Sequence, residues 1–315
     1  MTRTVRIALI GAGRMAHEHC RVFSSLPNAT LAGVYSRPMA QAESFASAHG
    51  IPIVCESVES LWRSTKADLV LVTVNVLDMF PVVAECADYD WAIFMEKPPG
   101  HDFDASTSLR QCVTRKARRA FVGLNRRFYS AVAEAKRELA DSGGPRYIAV
   151  CDRQSFAESR AAGHPEAVVK KMMYANSIHM VDYLRIFGRG EISQVQRMRN
   201  WEGEYTFLHS ASVYFSSGDI GRYDALWNGP GPWSCTISCA EKRLEMRPLE
   251  SLAIQQRNQR DVTAVDLHPI DAQFKPGLYR QAEELLRAVR HQPNEMTTVN
   301  DAYEVMSLIH DIYGV

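Results

Sequence analysis

The sequence predicts an α/β chain in two parts, a doubly wound parallel sheet followed by an α+β part with a mostly antiparallel open sheet. Three observations carry that prediction. Continuous apolar runs of strand length recur from residue 5 to about residue 120, as befits strands buried on both faces. Longer amphipathic stretches separate them and supply the crossovers that parallel neighbours require. After "NRRFY" at 125–129 the strand-like runs instead follow one another across short turns, the mark of antiparallel pairing.

In chain order, the first part reads as strands at "VRIALIG", "ATLAGVYS", "ADLVLVTV", "WAIFMEK" and "RAFVGLN", with helices expected over 14–26, 38–49, 57–64, 78–89 and 104–116. In the second part, a helix over 130–141 leads into "GGPRYIAVCDR" and then a helix over 175–187. Strand-like runs succeed each other from there: "SQVQRMRNW", "FLHSASVYFSS", "DIGRYDALWN", "SCTISCAEKRLEMRP" and "LAIQQRN". Leu278, Ala282, Leu285, Leu286 and Val289 recur at helical spacing, as do Val305, Leu308, Ile309 and Ile312, so 277–291 and 299–313 are expected to be packing helices. The expected domains are 1–124 and 125–315, with the last helix free to pack back on the first.

With 315 residues, 46% of them hydrophobic, the chain can bury the cores of two ordinary domains. Lys+Arg and Asp+Glu both number 36, so no net field draws the molecule to nucleic acid or an anionic membrane. The 7 cysteines are scattered and lack a Cys-x-x-Cys pair, which argues for reduced thiols and against structural zinc. The opening "MTRTVRIALIGAG" runs from a short apolar stretch straight into a glycine turn, unlike a signal peptide. No stretch of about 18 apolar residues occurs, and a soluble, cytoplasmic protein is expected.

"GAGRMA" at 11–16 closes the first strand and opens a helix, the setting of a G-x-G-x-x-A dinucleotide fingerprint. Gly11 permits the tight turn, Gly13 lets the backbone approach a diphosphate, and Ala16 keeps the helix close to its sheet. Gly11, Gly13, Arg14 and Met15 are therefore the expected diphosphate contacts, at a helix N-terminus with N–H groups to offer. About 20 residues on, where a carboxylate would bind ribose hydroxyls, the chain has Ser36 and Arg37. A serine does not repel a 2′-phosphate and an arginine pairs with one, which favours NADP; the alternative is that Arg37 stacks on adenine and NAD serves as well.

Taken together, "GAGRMA", "EKP" at 96–98, "VGLNRRF" at 122–128, the His-x-x-Asp of His179 and Asp182, and the closing "VNDAYEVMSLIHDIYG" resemble the glucose-fructose oxidoreductase/inositol dehydrogenase (Gfo/Idh/MocA) family. The resemblance implies NAD(P)-dependent oxidoreduction of sugars, polyols and their derivatives by a Rossmann domain and a substrate-binding domain. It also implies a homo-oligomer, dimer or tetramer, formed through the open sheet. By the same resemblance Lys97 sits beside the nicotinamide, bonded to the oxygen that changes oxidation state, and His179 is its proton-transfer partner. The chemistry agrees: ligands gather at the C-terminal ends of parallel strands, and a partly desolvated lysine beside a cationic ring is expected to have a lowered pKa. Pro98 further restricts Lys97 to extended geometry.

Departures from the family pattern are informative. Many members carry an aspartate one helical turn before the histidine; here the residue is Ala175, with Tyr174 or Asn176 as possible substitutes for substrate contact. "KKMM" replaces a glycine pair just upstream, where Met172 and Met173 read as packing. In "VTVNVLD" Asn75 remains, while Val74 and Asp78 stand where proline and histidine are common; Asn75 and Glu96 are expected at the cofactor. Asn125, Arg126 and Arg127 are expected at the interdomain cleft, either touching substrate or pairing with a carboxylate that fixes the hinge. The missing aspartate keeps open a reductase of a C=N bond or a non-sugar ketone, and a non-catalytic NAD(P)-binding regulator is a further alternative. No metal is expected: His17 and His19 of "HEHC" do not share a helix face and read as helix decoration. Cys235 and Cys239 are too far apart along a strand to bond, and Trp233 reads as an interface residue or a substrate contact.

Overall fold

In the computed structural model, which describes residues 3–315, the apolar runs of the first part form one parallel sheet. Its elements are β1 (Val5–Ile10), α1 (Arg14–Ser25), β2 (Ala29–Tyr35), α2 (Met39–His49), β3 (Val54–Cys55), α3 (Val58–Thr65), β4 (Leu69–Val72), α4 (Met79–Cys86), β5 (Ala92–Met95), α5 (Phe103–Arg115) and β6 (Ala120–Val122). The strand order is β3-β2-β1-β4-β5-β6, with every pairing parallel. The order in which successive strands are added reverses between β1 and β4, the switch point where such sheets place ligands. All four residues of β4 and of β5 are buried, which is why these strands read as unbroken apolar runs. β3 is only two residues long and left no such run in the sequence.

The second sheet has the two-faced pattern instead. It follows α6 (Ser130–Leu139) and contains β7 (Tyr147–Gln154), from which the chain passes through α7 (Phe156–Ala161), α8 (Glu166–Val169), α9 (Met172–Ala175) and α10 (Ile178–Phe187). β8 (Ile192–Arg197), β9 (Leu208–Phe215), β10 (Ile220–Trp227), β11 (Ser234–Ser238), β12 (Lys242–Met246), β13 (Ala253–Gln256) and β14 (Thr263–Ala264) complete it. The order is β14-β13-β12-β11-β7-β10-β9-β8; β7 and β10 pair parallel and all other neighbours antiparallel. Along β7, Ile148, Val150, Asp152 and Gln154 are buried while Tyr147, Ala149, Cys151 and Arg153 between them are not, so one face is covered and the other open. The helix expected over 175–187 begins instead at Ile178, as α10. Asn176, at φ −125°, separates it from α9.

Residues to Asn125 together with Ala272–Tyr303 make one compact unit; Arg126–Asp271 with Glu304–Val315 make another. The last helices are α11 (Ile270–Gln273), α12 (Leu278–Val289) and α13 (Val299–Tyr313), and α12 lies against α1 within the first unit. Among the described residues no helix is long and apolar enough to cross a membrane.

In the second unit His209 is fully buried, its ring 4.4 Å from that of Tyr313 and its Nε2 2.9 Å from the Ile312 carbonyl. Nε2–H donates there, and Nδ1 has no hydrogen-bond partner among the described residues. Burial lowers its pKa, with Arg197 adding to the effect. Because the native pKa lies below that of the unfolded chain, near 6.5, the unfolded state binds a proton first as pH falls. Stability is expected to drop as pH falls through about 6.5, and His209→Gln is expected to flatten that slope in denaturation midpoints measured between about pH 7.5 and 5. An identical slope in the variant would remove His209 as its source.

Candidate active site

Gly11 follows β1 at φ +98°, a left-handed conformation that side chains disfavour, and its N–H donates to the Tyr35 carbonyl at 2.9 Å. A Cβ at Gly11 would lie 2.8 Å from the Thr73 carbonyl oxygen, so the turn tolerates only glycine. Gly13 is different. It precedes α1 in an extended conformation, a Cβ there would meet nothing within 4 Å, and no side chain caps the helix. The N–H groups of Arg14 and Met15 therefore face open space at the positive end of a three-turn helix. A groove of about 390 Å³ adjoins this turn, lined by Gly11, Gly13, Ser36, Arg37, Thr73 and Asn75 among others. Ser36 is buried while Arg37 and Asn75 are exposed. Glycine cradle, open helix terminus and cationic rim fit a dinucleotide diphosphate and its adenosine end.

Lys97 follows β5, neighbour of β4 in the sheet, and is half-buried. The Lys97–Pro98 peptide is cis, where extended geometry alone was expected. Behind it, Gly100 packs so tightly on α5 that a Cβ would lie 2.4 Å from the Ser106 nitrogen. Glu96 is held from the other side: its Oε1 is 2.7 Å from Nε2 of His19, itself 2% exposed on α1. His19 is thus not helix decoration. It lies on the buried stripe of α1 with Ala16, Cys20 and Phe23, and that i, i+3, i+4, i+7 spacing was the available signal. Helix α1 and the loop bearing Lys97 are tied together by this contact.

In the second unit His179 lies in the first turn of α10, 6% exposed. Three residues on, Asp182 accepts two hydrogen bonds from Arg127, at 2.8 Å from Nε and 2.6 Å from the second nitrogen, so of the two adjacent arginines this one pairs with a carboxylate. Under α10, Asp152 is completely buried and accepts from the Tyr223 hydroxyl at 2.7 Å and the Gln154 amide at 2.9 Å; burial pushes its pKa up. Nothing local announces that network, since Asp152 and Tyr223 come from separate strands. Asn176 donates to Gln154 at 3.0 Å, which joins it to β7. Tyr174, expected as a substrate contact, is instead fully buried with its hydroxyl 2.8 Å from the Val315 carbonyl. Asn125 also departs from expectation: it is 8% exposed and its amide donates to the Pro276 carbonyl at 2.9 Å. Arg126, the other arginine, lines a pocket with Arg153 and Trp233. Among the described residues no group of three or more His, Cys, Asp or Glu is placed to hold a metal, and His17 pairs with His49.

A parallel sheet with a glycine cradle at its switch point defines the class of the first unit, a dinucleotide-binding Rossmann domain. Residues 5–124 match the oxidoreductase family with an NAD-binding Rossmann fold, Gfo/Idh/MocA. It is 26% identical over 242 residues to the scyllo-inositol 2-dehydrogenase (NAD(+)) of Bacillus subtilis (strain 168), a match covering 73% of this chain and 69% of the relative. In fold it is similar to UDP-N-acetylglucosamine 3-dehydrogenase from Acidithiobacillus ferrooxidans, with TM-score 0.78 and 19% identity over 99% of this chain and 98% of that one. An oxidoreductase from Agrobacterium radiobacter in complex with NAD+, L-tartaric acid and magnesium gives TM-score 0.78 and 15% identity, covering 98% and 95% of the two chains.

Proposed function

We propose that the protein moves hydride between a nicotinamide cofactor, NADP in preference to NAD, and a carbinol or carbonyl carbon of a sugar, cyclitol or sugar derivative. The observation that carries this reading is the position of Lys97, half-buried after β5 in the sheet whose first loop is the glycine cradle. When bound, the nicotinamide supplies or accepts the hydride. The chain's own part is to handle the proton. The Lys97 amine takes it from a carbinol, or gives it to a carbonyl, and His179 passes it on. Glu96, fixed by His19, holds the direction of the segment that carries Lys97. Similarity to a scyllo-inositol 2-dehydrogenase supports the substrate class.

The NADP preference is drawn from Arg37, exposed on the rim of the groove beside Ser36, which brings no carboxylate against a 2′-phosphate. Fluorescence titration with NADPH and NADH, then a turnover screen over sugars, inositols and imines, tests both parts. Arg37→Ala is expected to weaken NADPH binding about tenfold or more, the value of one charge-assisted hydrogen bond, and NADH about twofold at most. Equal losses would cancel the preference. A homo-oligomer belongs to the same reading, because the open face of the second sheet leaves Tyr147 47% and Ile220 39% exposed. Sedimentation equilibrium giving a monomer at micromolar concentration would count against it.

A further inference from the structure

Arg126 and Arg127 are adjacent in sequence and spent differently. Arg127 forks onto Asp182. Arg126 forms no ion pair with a carboxylate among the described residues; its guanidinium lies 4.6 Å over the indole of Trp233, and one nitrogen is 3.0 Å from the Met180 thioether. A thioether is a weak acceptor and the Tyr129 hydroxyl takes one further hydrogen bond, so the remaining guanidinium donors are left to water or to a ligand. The indole is itself fixed, its N–H donating to the Arg153 carbonyl at 2.8 Å, and stacking on it holds the guanidinium plane without using its N–H donors.

These groups line a pocket of about 340 Å³ with Arg153, Leu249 and Glu250. Arg153 is discharged by Glu158, which it grips with both terminal nitrogens. Glu250 is exposed, where water and salt screen it. Beside Arg126, burial pushes the Tyr129 phenol up to about 12 against the pull of the guanidinium it hydrogen-bonds, so that hydroxyl brings no negative charge; Asp152, which also feels Arg126, has its own pKa raised by burial. Met180 follows His179 in α10, so the same helix carries the proposed proton carrier and a wall of the arginine's surroundings.

We propose that this pocket receives an oxyanion, a carboxylate or phosphate carried by the polyhydroxy substrate, with Arg126 as its partner and Trp233 as the platform that orients it. The inference rests on the dehydrogenase reading above and narrows its substrate class from polyols in general to acidic ones. A planar guanidinium edge matches the two oxygens of a carboxylate or phosphate, and a charged acceptor strengthens each bond about twofold over a neutral hydroxyl.

Calorimetric titration of the full chain, saturated with NADPH, tests it with glucuronate and glucose 6-phosphate as anionic probes and glucose and myo-inositol as neutral ones. One anionic probe at least is expected to bind about tenfold tighter than glucose, and which of the two does so separates carboxylate from phosphate. Arg126→Gln is expected to bring the probes within about twofold of each other, and Arg126→Lys to keep part of the preference without the fork. Neutral probes binding as well as anionic ones, no binding by any probe, or a preference unchanged in a folded Arg126→Gln protein would each overturn the inference. Absorbance of NADPH in the oxidising and reducing directions keeps the two readings apart. Hydride transfer confined to neutral polyols sinks the anion site alone, while selective anion binding with no hydride transfer to any polyol sinks the dehydrogenase assignment alone.

Discussion

Replacing Lys97 by alanine is expected to lower kcat/KM by about two to four orders of magnitude, the usual worth of a positioned proton donor or acceptor. On the reading proposed above the loss is expected mainly in kcat, because the amine would act on charge that develops as the carbinol oxygen loses its proton, and less in the affinity for dinucleotide, for whose diphosphate the Gly11–Met15 turn offers backbone N–H groups. Titration of the variant with NADPH is the control: near-normal cofactor affinity with lost turnover assigns the proton to Lys97. A parallel loss of both would mean that the side chain shapes the cofactor site instead. The pH profile gives a second measure. The wild-type limb that reports deprotonation of the amine is expected to vanish in Lys97→Ala, and a profile that keeps it would move the role to another group, His179 first.

How far this site was legible in sequence depended on whether a residue's partner was local. The turn at Gly11 and Gly13 was readable because its constraints, a left-handed φ and an open helix end, act within a few residues of one strand-turn-helix. Both sheets were readable because burial on two faces or one leaves different apolar periods, unbroken in β4 and alternate in β7. β3 was not, since two residues carry no period. His19 was misread for want of its partner, as Glu96 is 77 residues away and nothing local announces the pair. Tyr174 and Asn125 misled for the opposite reason. Tyr174 adjoins Ala175, the position of the family aspartate, and Asn125 lies within "VGLNRRF", yet their hydrogen bonds go to Val315 and Pro276, 141 and 151 positions on. Adjacency to a motif says where the backbone is; it does not say which way a side chain faces.

The second large effect is expected in stability. Asp182 has a side chain 2% exposed and Arg127 one 21% exposed, joined by two near-parallel hydrogen bonds. Such a pair is worth little against a well-packed apolar replacement, but removing one member leaves a desolvated charge without its counter-charge, at a cost of about 3–5 kcal/mol. Asp182→Ala is accordingly expected to cut the unfolding free energy of the second unit by about that amount in urea titration, with Asp182→Asn losing less because the amide oxygen still accepts one bond. The double variant Arg127→Met, Asp182→Leu is expected to recover most of the loss, and the excess of the single losses over the double measures the coupling. Asp182 lies three residues from His179 on α10, on the same side of the helix, so a softened Arg127–Asp182 lock also loosens the turn that aims the imidazole. Turnover in Asp182→Asn is therefore expected to fall below that of the wild type, in kcat more than in KM. If Asp182→Ala unfolds within about 1 kcal/mol of wild type, the pair is surface-like in energy and α10 is held by its apolar faces alone.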